Sequence, residues 1–138
     1  MDFELNEWGN LVAPSFHDGT VDALDVSGDR CAEVILTQVT GARYRLKLNG
    51  VKHLRCDDFR EGNIIFEVGV FSNRTPPQNY LTRLLGSPSE EERDYLSTIA
   101  KAVEEGELTL FSIVPSYGCE LYALCESIVL REIVESAR

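Results

Sequence analysis

The stretch Arg43-Tyr44-Arg45-Leu46-Lys47-Leu48-Asn49-Gly50-Val51-Lys52-His53-Leu54-Arg55-Cys56 (RYRLKLNGVKHLRC, residues 43–56) carries the decision about the fold. Tyr44, Leu46 and Leu48 alternate with Arg43, Arg45 and Lys47. That two-residue period belongs to a strand with one apolar and one solvated face. Asn49-Gly50 comes next; both residues tolerate positive φ, and the pair is the strongest short-range hairpin signal. The spacing predicts a strand over 42–48, a tight turn, and a short returning strand over 51–56.

The same alternation extends outward. Upstream, residues 20–27 and 31–39 read as strands, separated by Gly28-Asp29 and closed by Thr40-Gly41. Downstream, residues 63–71 form a long strand with Ile64, Phe66, Val68 and Val70 expected on one face. Together these make an antiparallel meander with a buried and a solvated side.

Beyond residue 75 the period changes. Pro76-Pro77 opens a short helix to about Leu85, with Tyr80, Leu81, Leu84 and Leu85 as its apolar side and Gly86 as its stop. Ser89-Glu90-Glu91-Glu92 reads as a capping box, in which the Ser89 hydroxyl and Glu92 carboxylate satisfy backbone N–H groups of a second helix. Leu96, Ile99 and Val103 keep helical spacing, and Gly106 stands where a glycine ends a helix. Two strands close the chain, over 107–114 and from Cys119 past Leu130. The predicted fold is α+β: a strongly curved, mainly antiparallel sheet of about seven strands, half-barrel or sandwich-like. A two-helix insertion over about 76–106 precedes the last two strands, all in one domain spanning 1–138.

The 138 residues carry 23 acids against 13 lysines and arginines, a formal charge of −10. Residues 1–33 hold eight acids and one base, residues 34–60 six bases and two acids, and residues 90–107 seven acids and two bases. An acidic total opposes generic nucleic-acid binding, which needs clustered Lys and Arg. It favours a solvated surface first and a basic protein partner second. No apolar run approaches the roughly 20 residues of a membrane span. The first residues are acidic where a signal peptide is basic, so a cytoplasmic protein is expected.

Several residues invite a chemical reading. His17-Asp18 could be a general base with its orienting carboxylate. Adjacent residues of an extended chain point to opposite sides, however. A turn explains the pair better: Asp18 bonds a backbone N–H, Gly19 takes an unusual φ, and Phe16 plugs the core. His53 and Cys56 form an H-x-x-C, but a second ligand pair is missing and strand parity sends them to opposite faces, so no metal is expected. Ser116, Cys119 and Cys125 lack the context of a nucleophile, and no nucleophile elbow, phosphate-binding loop or dinucleotide fingerprint occurs. The four cysteines, Cys31, Cys56, Cys119 and Cys125, are expected to be reduced, buried, small apolar residues. No cofactor is expected. In the loop from Asp57 to Gly62, Phe59 is expected to fold inward, Arg60 to pair a nearby acid, and Glu61-Gly62-Asn63 to launch the next strand.

The ordered series Phe16-His17-Asp18-Gly19, then Gly50-Val51 with Leu54, then Phe59-Arg60-Glu61-Gly62-Asn63-Ile64-Ile65 resembles small bacterial α+β domains of unknown function, some grouped with immunity proteins of polymorphic toxin systems. It covers roughly residues 16–71, and its elements are turn-and-strand signatures. The resemblance implies a cytoplasmic, non-enzymatic protein that binds and blocks a toxin.

The leading expectation is therefore a binding domain without catalysis. It would recognise a basic protein such as a toxin through Asp22, Asp25, Asp29 and Glu33, or through Asp57, Asp58, Arg60 and Glu61. Neither nucleic acid nor membrane is an expected partner. The second reading is a small-ligand-binding or enzymatic domain, with a cavity in the curved sheet near His17, Asp18 and Glu61. A third is a self-associating protein that pairs through an exposed strand edge.

Overall fold

The computed structural model describes residues 2–134, which form a mainly antiparallel sheet structure with two helices, an α+β fold. Among these residues lie β1 (Glu4–Leu5), β2 (Leu11–Ala13), β3 (Thr20–Val26), β4 (Ala32–Thr37), β5 (Arg43–Asn49), β6 (His53–Asp57) and β7 (Asn63–Phe71). Helices α1 (Gln78–Leu85) and α2 (Arg93–Glu104) come next, then β8 (Thr109–Tyr117), β9 (Glu120–Cys125) and β10 (Ser127–Glu132). β1 and β2 make a small sheet of their own. The other eight strands form one sheet in the order β10-β5-β4-β3-β7-β8-β9-β6, which is not closed.

Asn49-Gly50 is not a hairpin turn. β5 lies between β4 and β10, while β6 pairs with β9. The tight hairpin needs positive φ at both central residues. Only Gly50 has it (φ 62), and Asn49 stays in β5 opposite Ser127. The chain steps sideways and continues because the C-terminal segment pairs with both halves of it. Glu126 N–H donates to the Asn49 carbonyl at 2.9 Å, and Lys52 N–H donates to the Leu124 carbonyl at 2.8 Å. A Cβ on Gly50 would stand 2.5 Å from Cδ of Glu126, so any other residue there would have to displace the Glu126 side chain as well as adopt positive φ. The expected closing strand breaks at this junction into β9 and β10. With β1 and β2, this break raises the strand count above the predicted seven.

The long strand β7 departs from simple alternation. Register shifts at Ile64/Ile65 and Ile65/Glu67 interrupt its pairing with β8. The first shift leaves Ser116 of β8 unpaired; the second leaves Phe66 unpaired in β7 and reverses the facing of the β7 residues after it. Ile65, Val68 and Val70 are therefore buried, whereas Ile64 and Phe66, predicted to share a face with Val68 and Val70, are exposed.

Two apolar clusters flank the sheet. The first holds Val34, Leu36, Leu46, Leu48, Ile113 and Leu121 together with Phe16, whose ring lies edge-on to Tyr44 at 5.2 Å. Full burial of a Phe side chain contributes about 2–3 kcal/mol. In the second, Leu81 and Leu84 of α1 and Leu96, Ile99 and Val103 of α2 cover Phe71, Leu110 and Leu124. Successive residues of β8 and β9 feed opposite clusters, Leu110 against Phe111 and Ala123 against Leu124. Burial on both faces explains why these strands read as continuous apolar runs.

The helical pair lies between β7 and β8, and α1 ends at Gly86 (φ 88) as its sequence requires. The start of α2 differs from expectation. Its first helical residue is Arg93, and the Ser89 hydroxyl bonds the Glu92 carboxylate at 3.1 Å instead of a backbone N–H. The side chain expected to complete the box thus occupies the capping hydroxyl. At the other end Gly106 (φ 79) donates its N–H to the Val103 carbonyl at 3.1 Å, the expected glycine stop.

Candidate functional site

Asn63 organises the region into which many of the predicted site residues fall. β3 pairs with β7 only at Thr20–Ile64 and Val21–Asn63. Beyond that point the buried Asn63 side chain replaces the ladder. Its Nδ2 donates to the Val21 carbonyl at 3.0 Å. Its Oδ1 accepts the N–H of Arg60 at 2.7 Å and that of Cys119 at 2.9 Å. One amide thereby joins β3, the loop over 58–62 and the turn before β9. Gly62 (φ 77) makes the expected turn into β7, and Arg60 lies 3.9 Å from Asp58. Phe59, expected to fold inward, is exposed instead. Asp58 itself takes the left-handed conformation (φ 56), so the chain turns outward just ahead of it.

The bulges of β7 place an apolar stripe on the outside of the sheet. Ile64, Phe66 and Tyr117 are 39%, 47% and 50% exposed, and Ile64 lies directly opposite Tyr117. On its other side Ile64 faces Thr20, whose hydroxyl donates to the Asp22 carboxylate at 2.8 Å. The Thr37 hydroxyl also donates to Asp22. His17 closes the stripe at Phe66, with its ring edge-on at 5.5 Å and Nδ1 2.7 Å from the Phe66 carbonyl. Nδ1 therefore carries a proton in that bond, because a carbonyl oxygen only accepts.

His17 and Asp18 face each other, contrary to the parity expected of neighbours, with Nε2 3.6 Å from Oδ2. The reason is that Asp18, and not Gly19, adopts the left-handed conformation (φ 62), which turns its carboxylate back along the chain. Asp18 uses its own N–H toward the Ile65 carbonyl at 2.9 Å. Gly19 is needed for closeness: a Cβ there would stand 2.3 Å from the Thr37 carbonyl oxygen. Phe16 is buried as expected. Both members of the pair lie open to solvent, so they act as a polar border to the stripe.

The remaining acids divide by environment. Asp25, Asp29 and Glu33 line one hollow of about 200 Å³ together with Lys47. Glu33 also pairs Arg45 at 3.3 Å. A second hollow, of about 320 Å³, is lined by Arg45, Lys47 and Arg131 as well as Glu33, so acids and bases share this side of the sheet. Asp57 turns to Arg55 at 2.8 Å. Among the described residues, the carboxylates of Asp25, Asp29 and Glu61 have no hydrogen-bond or ion-pair partner.

His53 and Cys56 diverge. His53 Nε2 lies 2.9 Å from the Tyr95 hydroxyl of α2, while Cys56 Sγ lies 3.6 Å from Cys119 Sγ. No group of three or more potential metal ligands occurs among the described residues. Cys119 and Cys125 are buried as expected, but Cys31 and Cys56 are only half-buried. Burial, reinforced by Cys56, raises the Cys119 thiol far above its ordinary range, and burial pushes Cys125 up to about 12. Thiols raised in this way carry little thiolate near neutral pH, so neither is an activated nucleophile there.

The exposed stripe is not legible in the sequence as a surface, because its residues keep the alternation of a buried strand until the bulges intervene. No helix among the described residues is long and apolar enough to cross a membrane. Comparison with known proteins finds no family model, curated protein or solved structure that matches this chain.

Proposed function

We propose that the protein is a non-enzymatic, cytoplasmic binding domain that holds a basic protein partner, in the manner of an immunity protein neutralising a toxin. The supporting observation is the exposed Ile64–Phe66–Tyr117 stripe bordered by Asp18 and Asp22. An apolar surface rimmed by polar groups is the usual anatomy of a protein contact. Aromatic side chains at its centre carry most of the binding energy, and the rim selects the partner.

In this reading Phe66 and Tyr117 enter apolar recesses of the partner, while Asp18, Asp22, Asp58 and Glu61 meet its lysines and arginines. Asp25, Asp29 and Glu33 lie farther out and add to the field that steers a basic protein inward. The sheet is taken to be strongly curved, with the cluster around Phe16 filling its concave side and the stripe on its outer side. Filled by Phe16 and its neighbours, that interior does not favour the small-ligand reading at His17, Asp18 and Glu61.

The test is capture of basic bacterial toxin domains on immobilised protein, with wild type compared against Phe66→Glu and Asp22→Lys. Wild type is expected to retain at least one domain in a salt-sensitive manner, and both variants to lose it. Equal retention by all three proteins, or retention of none of the domains by wild type, contradicts the proposal.

A further inference from the structure

Cys56 and Cys119 are brought together across the β6–β9 pair. Cys56 lies opposite Leu121, and Cys119 is two residues before Leu121, so both side chains belong to the same face in a diagonal relationship. Their sulfurs are 3.6 Å apart, and both residues are free thiols. A disulfide needs about 2.05 Å between sulfurs, so the pair must close further by side-chain rotation together with a local shift of the turn that carries Cys119 toward β6. Cys56 is half-buried and Cys119 buried. This gives the pair an order of attack, with the accessible thiol first.

We propose that Cys56 and Cys119 are an oxidation site, at which a peroxide converts the two thiols into a cross-strand disulfide that fixes the loop over 58–62. The Cys56 sulfur attacks a peroxide oxygen, breaking the O–O bond; Cys56 becomes a sulfenic acid and the peroxide leaves as an alcohol or water. The Cys119 sulfur then attacks the Cys56 sulfur, hydroxide departs, and with the thiol proton it forms water. The two thiols lose two electrons and the peroxide gains them. Both steps run through thiolates, and burial raises both thiols; at Cys56 the contact with Cys119 offsets part of the rise and Asp57 adds to it. Oxidation is therefore slow near neutrality and accelerates with alkali.

Asn63 carries the consequence to the loop. The Cys119 N–H and the Arg60 N–H share its Oδ1 acceptor. A covalent tie between Cys119 and the end of β6 holds both ends of the loop that Asn63 bridges. This inference is independent of any partner.

The experiment treats the Cys31→Ser protein with hydrogen peroxide at pH 7 and pH 9, maps the products by peptide mass, and follows amide exchange. The expected product is a linked pair of the peptides holding Cys56 and Cys119, formed faster at pH 9, with slower exchange at Arg60 and Cys119. Cys119→Ser is expected to stop at oxidation of Cys56. Should that variant fail to fold, Cys56→Ser serves instead and is expected to leave Cys119 unmodified. Oxygen added to Cys56 without linkage, or a linked pair with unchanged exchange at both amides, overturns the proposal.

Discussion

Asn63 Oδ1 accepts the backbone N–H of Cys119 at 2.9 Å across 56 residues of sequence. The contact is close enough that a Cβ on Gly118 would stand 2.3 Å from the same oxygen. With its bonds to Arg60 and Val21, Asn63 supplies by one side chain what a longer β3–β7 ladder would have supplied by backbone pairing.

Asn63→Ala removes these partners and leaves buried backbone groups unpaired. Each such group costs about 1–3 kcal/mol. A loss of about 3 kcal/mol is expected in urea unfolding. A loss below about 1 kcal/mol would show that water or a rearranged loop replaces the amide.

Ser89→Ala tests the corrected start of α2. An N-cap substitution costs about 1 kcal/mol. Here the hydroxyl bonds an exposed carboxylate and no backbone N–H. The expected change is within about 0.5 kcal/mol, as for ordinary surface sites. A melting temperature lowered as much as for a lost cap would return Ser89 to the capping role.

Asp18 offers a test of conformation. Its left-handed φ of 62 suits glycine, and aspartate with its short polar side chain, whereas an ordinary residue with a Cβ costs roughly 1–2 kcal/mol there. Asp18→Gly is expected to be neutral within about 0.5 kcal/mol, and Asp18→Ala to destabilise by about 1 kcal/mol. The reverse order, measured by thermal melting, would mean that the carboxylate at His17 matters more than the backbone.

Much of this fold is legible in the sequence where the physics is local. Gly86 and Gly106 end the helices because positive φ is intrinsically available to glycine, and the spacing of Leu96, Ile99 and Val103 names the buried side of α2. Departures arise where a distant segment overrides a local preference. Asn49-Gly50 would close a hairpin if β5 and β6 were left to themselves, but Glu126 bonds Asn49 and diverts the chain. Ile64 and Phe66 keep the pattern of core residues, and only the bulged register with β8 turns them outward. The same register hides the stripe from the sequence while leaving the acids in plain view. Charge is visible in composition, but bulges are set by pairing.

Alkaline pH provides a further test. Cys125 is pushed up to about 12 from an ordinary 9.0, chiefly by burial. A folded-state value above the unfolded one gives stability that is fully present below about pH 9 and falls as pH rises toward about 12. The unfolded chain releases its thiol proton first, at about 1.4 kcal/mol per pH unit for one group. Cys119 and Tyr122, both raised mainly by burial, act in the same direction. Unfolding free energy is expected to decline above about pH 9, less steeply in Cys125→Ala. An equal slope in that variant would remove Cys125 from the account.

The binding reading stands or falls on Phe66, the half-exposed aromatic of the stripe that borders His17. The direct measurement is calorimetric affinity of wild type and Phe66→Glu for a basic domain captured by wild type, with a melting curve for each protein. An aromatic anchor is worth about 2 kcal/mol or more, so the variant is expected to bind at least about 30-fold more weakly. Its melting temperature is expected to stay close to that of wild type, as for an exposed position. Undiminished affinity in a folded Phe66→Glu protein would contradict the assignment of this face as the partner surface.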